Sequence, residues 1–81
     1  MSIPETVYSF ARTIARKYCV DIKELLGSER EGFRRRQLVL AKEELWTVTA
    51  DTLGLGDSDT GHLFGVDHGS VRKARQRYLS R

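Results

Sequence analysis

The sequence predicts an all-α domain of about five helices. Three observations predict it. Apolar residues recur at helical spacing in several segments, no segment alternates apolar and polar residues as a strand would, and glycines and capping residues separate the periodic stretches. No internal repeat is visible. At 81 residues the chain fits one small domain, residues 1–81, near the lower end of what a hydrophobic core alone stabilises.

Pro4, with Ser2 and Glu5 beside it, marks the first helix start. Val7, Phe10, Ile14 and Tyr18 then form an apolar stripe with Ala11 and Ala15, opposite Ser9, Arg12, Arg16 and Lys17, which predicts a helix over residues 4–18. Cys19 and Val20 break it. Asp21 is placed to cap a second helix, with Glu24 three positions on, and Ile22, Leu25 and Leu26 give it a short apolar face that Gly27 ends. "GSEREGF" reads as a loop. From Phe33 or Arg34 a longer helix is expected to run to about Thr52. Its apolar residues fall in two stripes, Leu38, Ala41, Leu45, Val48 and Thr52, and Val39, Trp46, Ala50 and Leu53, so it should be a central helix touched from more than one side. "GLGDSD" stops it. A short helix from Ser58 to Phe64, a turn at Gly65-Val66 and a last helix from Asp67 complete the chain, with Val71, Ala74, Tyr78 and Leu79 expected inward.

Composition narrows the function. No apolar run is long enough to span a membrane, and "MSIPETVYSF" lacks the basic and apolar regions of a signal peptide. Cys19 is the one cysteine, so neither an intrachain disulfide nor a multi-cysteine zinc site can form, and a cytoplasmic location is expected. The net charge of +3 is modest, but its distribution is uneven. Residues 54–81 carry five basic side chains against three acidic, and all five follow Val71. A positive field gathered at one end suits a polyanion; the plainer account is a solvated helix whose cations oppose its dipole.

The last two helices pass a sequence test for a helix-turn-helix, over about residues 57–79. Such a motif needs a small residue where the second helix crosses the first, a residue tolerant of left-handed backbone in the turn, and apolar residues inside the second helix. Gly61, Gly65, and Val66, Val71 and Ala74 meet these needs in order. The start of the last helix would then enter a major groove of double-stranded DNA. Asp67 would cap that helix near Gly69 or Ser70, and its carboxylate can also accept from a cytosine amino group. His68 can donate to guanine or to phosphate, Gly69 permits close approach, and Ser70 suits phosphate or a base edge. Arg72 can bond guanine bidentately, while Lys73 and Arg77 can neutralise phosphate. Arg75 and Arg77 can instead lie over the core. A second basic element, "FRRRQ" with Arg30 upstream, offers Arg30, Arg34 and Arg35 to an adjacent backbone or minor groove, and Arg36 is expected to pair with nearby glutamates.

Other chemistries fit less well. Ser70-Val71-Arg72-Lys73 matches S-x-x-K without its companion motifs. His62 and His68, with Asp57, Asp59 and Asp67 near them, span a turn and lack thiolates, so capping and surface roles are expected rather than a metal. No catalytic residue, metal or cofactor is therefore expected. The rival to DNA binding is a small helical adaptor whose basic last helix docks on an acidic partner, which an exposed apolar patch around Trp46 and Val39 would support, as it would a homodimer.

Together these segments resemble the C-terminal DNA-binding domain of the bacterial replication initiator DnaA. "IARKYCVDIKELLG" is similar to that family's helix, break and capped second helix. "RRRQL" is similar to the start of its long helix, and "GHLFGVDHGSV" to its glycine, phenylalanine, glycine, then Asp-His pattern. The likeness covers about four-fifths of the chain, and similar domains look to be appended to some transposase-like proteins. It implies that Asp67, His68 and Ser70 read the major groove, and that Arg30 or Arg34 enters the minor groove. Val66 stands where the family has arginine and Gly69 where it has serine or threonine. No G-x-x-x-x-G-K-[ST] occurs, so no nucleotide binding is expected of this chain. So small a domain should bind weakly alone, which makes a homodimer or a protein partner a further expectation.

Overall fold

The structure is a computed structural model that describes residues 3–27 and 36–81. Among these it contains five helices and no strand: α1 (Glu5–Tyr18), α2 (Ile22–Leu26), α3 (Arg36–Leu53), α4 (Asp57–Phe64) and α5 (His68–Leu79). The class is all-α, as the periodicity predicts. The expected start of the long helix at Phe33 or Arg34 lies outside the described residues.

Three helices end on one local device. Cys19 after α1, Gly54 after α3 and Gly65 after α4 all take left-handed backbone, with φ of 56°, 68° and 72°. In each case the next residue donates its amide back five positions: Val20 to Ala15 at 2.9 Å, Leu55 to Ala50 at 2.9 Å and Val66 to Gly61 at 2.8 Å. This bond occupies a carbonyl that the helix end would leave unpaired. The residue that follows each left-handed one is apolar and partly buried, and Val20 and Val66 pack on the core. Gly27 ends α2 differently, in extended backbone (φ −79°), with its amide near the Lys23 and Glu24 carbonyls. The expected caps form: the Asp21 carboxylate accepts from the Lys23 amide at 2.8 Å, and Asp67 from the Gly69 amide at 3.1 Å.

Helix α3 touches each of the other four helices, which explains its apolar residues on two faces. Val7, Ala11, Ile14 and Ala15 of α1, Leu25 of α2, Leu38, Ala41, Leu45 and Trp46 of α3, Phe64 of α4 and Val71 and Ala74 of α5 form one buried cluster. Trp46 and Phe64 lie with ring centroids 6.4 Å apart, joining α3 to α4. No described helix is long and apolar enough to cross a membrane.

Four residues expected on the inward faces are exposed. Val39 and Leu53 are exposed, because Val39 lines an open groove between α3 and α5 and Leu53 sits in the last turn of α3. Thr52 is exposed with them. Leu79, expected inward, is 71% exposed at the end of α5. In the other direction, Glu43 and Glu44 are buried at mid-helix, where periodicity of apolar residues gave no hint of them.

Those two adjacent carboxylates tie the ends of α1 and α5 to α3. Glu43 accepts from Arg77 Nε at 2.7 Å and from Arg81 Nη2 at 3.0 Å. Glu44 accepts from Lys17 Nζ at 3.0 Å and from the Tyr18 hydroxyl at 2.7 Å. Arg81 also donates to the Tyr18 oxygen at 2.7 Å and to the Leu40 carbonyl at 3.0 Å. Burial pushes the Glu44 carboxyl up, but the Tyr18 and Lys17 hydrogen bonds and the Lys17 and Arg81 charges outweigh it and hold the group below its ordinary value. Burial and the bond to Glu44 push the Tyr18 hydroxyl up.

Candidate nucleic-acid interface

The close approach of α4 and α5 is set by a residue without a side chain. A Cβ at Gly61 would lie 2.5 Å from the Val66 carbonyl oxygen and 3.4 Å from the His68 amide nitrogen. Any larger residue would push the turn away from α4. Gly65, one turn later, supplies the left-handed backbone that reverses the chain, and Val66 donates back to Gly61. Thr60, fully buried beside Gly61, bonds the Gly56 carbonyl at 2.8 Å and so costs no unpaired hydroxyl. Val71 and Ala74 then seat α5 on the core.

With those residues inward, the start of α5 faces solvent. His68, Ser70, Arg72, Lys73, Gln76 and Arg77 are exposed. Asp67 precedes them as cap, with its Oδ1 3.9 Å from His68 Nδ1. Gly69 is partly buried, and a Cβ there would come within 2.9 Å of the capping Asp67 oxygen. That contact is with the end of a movable side chain, and Lys23 occupies the equivalent position behind the Asp21 cap of α2.

The cations of α5 differ in how they are engaged. Arg75, partly buried, donates from Nη1 to Asp57 at 2.8 Å and from Nη2 to Asp51 at 3.2 Å. It braces α5 against α4 and α3. Arg72 Nε lies 3.7 Å from the other Asp57 oxygen, with its own side chain 66% exposed. Arg77 is tied to Glu43 through Nε although more than half of its side chain remains open to solvent. Lys73 has no ion pair with a described residue and stands at the rim of the groove between α3 and α5.

That groove encloses about 570 Å³ and is walled by Arg36, Lys73, Arg77 and Arg81, with Val39 and Leu40 on its apolar side and Glu43 among its lining residues. Arg36 was expected to pair with glutamates. The recorded partners of Glu43 and Glu44 are instead Arg77, Arg81, Lys17 and Tyr18, and Arg36 is exposed at the start of α3.

The structure thus brings His68, Gly69, Ser70, Arg72, Lys73 and Arg77 onto one helix behind the Asp67 cap. Arg30, Arg34 and Arg35 lie outside the described residues. Sequence reasoning missed Asp51, Asp57 and Glu43 as partners of the α5 arginines. No periodicity could have found them, since each pair joins residues on different helices. Comparison with protein-family models, curated proteins and solved structures finds no match to this chain.

Proposed function

We propose that this chain is a non-enzymatic domain that binds double-stranded DNA, with α4, the turn and α5 acting as a helix-turn-helix and α5 entering the major groove. The observation that carries this reading is the closure at Gly61. A tight crossing, in which a Cβ on Gly61 would lie 2.5 Å from the Val66 carbonyl oxygen, leaves the outer side of the first two turns of α5 lined with polar and basic side chains. That is the geometry in which recognition helices present their N-terminal residues to base edges. His68, Gly69, Ser70 and Arg72 would face bases. Lys73, Arg77 and Arg36 would lie along phosphates, joined by Arg30, Arg34 and Arg35 from the segment before α3. Asp67 would serve through its cap. The resemblance to the initiator's DNA-binding domain agrees with this assignment and suggests replication or transposition as the setting.

The adaptor reading rests on the basic last helix docking on an acidic partner, and an exposed apolar patch at Trp46 and Val39 would add to it. Trp46 is 8% exposed, so of the pair Val39 alone is open, and support for a hydrophobic docking face is correspondingly thin.

The test is fluorescence anisotropy with a labelled random duplex at two salt concentrations, comparing the protein with Arg72→Ala/Lys73→Ala. About six phosphate contacts would lose roughly a thousandfold in affinity between about 50 and 200 mM salt. Binding that falls in this way and is largely removed by the double substitution is the expected result. A folded protein that binds no duplex at low salt would overturn the reading.

A further inference from the structure

Arg72 is the exposed arginine on the first two turns of α5, and it does not stand alone. Asp57, in the first turn of α4, offers one carboxylate oxygen to Arg75 Nη1 at 2.8 Å and holds the other 3.7 Å from Arg72 Nε. Arg75 is in turn fixed from α3 by Asp51 at 3.2 Å. Asp57 and Arg75 side chains are each about one quarter exposed, whereas Arg72 is two-thirds exposed. A chain of charges therefore runs from α3 through Arg75 and Asp57 and ends on a solvent-facing guanidinium.

We infer that Asp57 is a positioning residue that aims Arg72 at a guanine, so that the domain prefers guanine at one position of its site. The inference rests on the DNA-binding reading above and deepens it. At 3.7 Å the Arg72 Nε is drawn toward the Asp57 carboxylate by charge rather than tied by a hydrogen bond, and both of its terminal amino groups lack a hydrogen bond to a described residue. Those two groups match the O6 and N7 acceptors that guanine presents in the major groove. Free arginine side chains lose rotamer freedom on binding; one biased toward a fixed carboxylate loses less. Arg72 lies one helical turn after His68 on the same side of α5, within the part of the helix that would enter the groove. An ordinary surface ion pair is worth little. This one differs in that its carboxylate is partly buried and fixed from behind by a second arginine. The acidic residue also separates two effects: it weakens general attraction to phosphate while favouring the one base that can satisfy Arg72.

The experiment is selection from a duplex library with a randomised centre, run with the unmodified protein, Asp57→Asn, Arg72→Lys and Asp51→Asn. In parallel, anisotropy on the unselected library measures general affinity, and circular dichroism checks folding. The unmodified protein is expected to enrich guanine at one position. Arg72→Lys keeps the charge without the two-pronged geometry and should lose that preference by roughly tenfold. Asp57→Asn should lose it by a similar factor while its affinity for the unselected library holds or rises. Asp51→Asn removes the Nη2 contact of Arg75 but leaves its 2.8 Å bond from Nη1 to Asp57, so it should keep most of the preference, which separates aiming from general stability. Guanine enrichment unchanged in Asp57→Asn, or lost equally in Asp51→Asn, would overturn the inference. So would binding by the unmodified protein with no guanine preference, although DNA binding would then stand. No duplex binding by folded protein would overturn both.

Discussion

Arg77 Nε donates to Glu43 at 2.7 Å, and it does so from a side chain that is mostly in solvent to one that is 5% exposed. The same arginine thus helps neutralise a buried carboxylate on α3 and presents charge on the outer face of α5. A residue read as a phosphate contact is also part of the scaffold. Glu43 has a second partner in Arg81 at 3.0 Å, so losing Arg77 leaves the carboxylate half-paired rather than stranded.

Arg77→Ala should therefore lower stability by about 1–2 kcal/mol, less than the full cost of isolating a buried charge. Urea denaturation followed by circular dichroism reads this directly. Unchanged stability together with weaker DNA binding would mean that Arg77 serves the surface alone.

The two glycines around the α4 to α5 turn should differ in kind. Gly61→Ala places a methyl 2.5 Å from backbone, which no side-chain movement can relieve, whereas Gly65→Ala must hold an alanine at a φ near +72°. Overpacking of the first sort costs about 2–3 kcal/mol and left-handed alanine about 1–2 kcal/mol. Thermal unfolding of the two variants should rank Gly61→Ala as the less stable. The reverse order would show that the turn can shift freely past α4.

Acid should weaken the domain partly through Glu44. Its carboxyl titrates below the ordinary value of 4.5, so the unfolded chain takes up the proton first as pH falls. The stabilisation is complete above that ordinary value and is lost as pH drops through the depressed one. Glu44→Gln should be less stable at neutral pH, and its stability should fall less steeply below about pH 4.5. Denaturant midpoints measured across that range decide the matter; parallel curves for the two proteins would assign the acid sensitivity to other groups.

The helix boundaries were legible because their signals are local. Asp21 and Asp67 cap where they were expected, Gly54 and Gly65 reverse the chain where they were expected, and α4 begins only one residue before its expected start. A stop at Cys19 was readable too, although the left-handed backbone there rests on a residue with a Cβ. Side-chain burial on α3 was harder. Apolar stripes placed Val39 and Leu53 inside and had no place for Glu43 and Glu44, because burial at those positions depends on where the ends of α1 and α5 come to rest. The site showed the same division. The outward order of residues on α5 followed from helical geometry, but the carboxylates that hold Arg72, Arg75 and Arg77 come from α3 and α4.

That arrangement changes how the basic tail would act at a distance. Counted along the chain, α5 together with Arg81 carries five positive charges with no acidic residue among them. In the folded protein Arg72, Arg75, Arg77 and Arg81 each lie against a carboxylate from another helix, and Lys73 is the member of the set with no such neighbour among the described residues. The field that α5 projects into solvent is accordingly closer to a set of dipoles than to a line of bare charge, and dipolar fields fade faster with distance. Long-range steering of diffusional encounter would be weak for such a surface, and capture would depend on short-range fit once the two molecules had met.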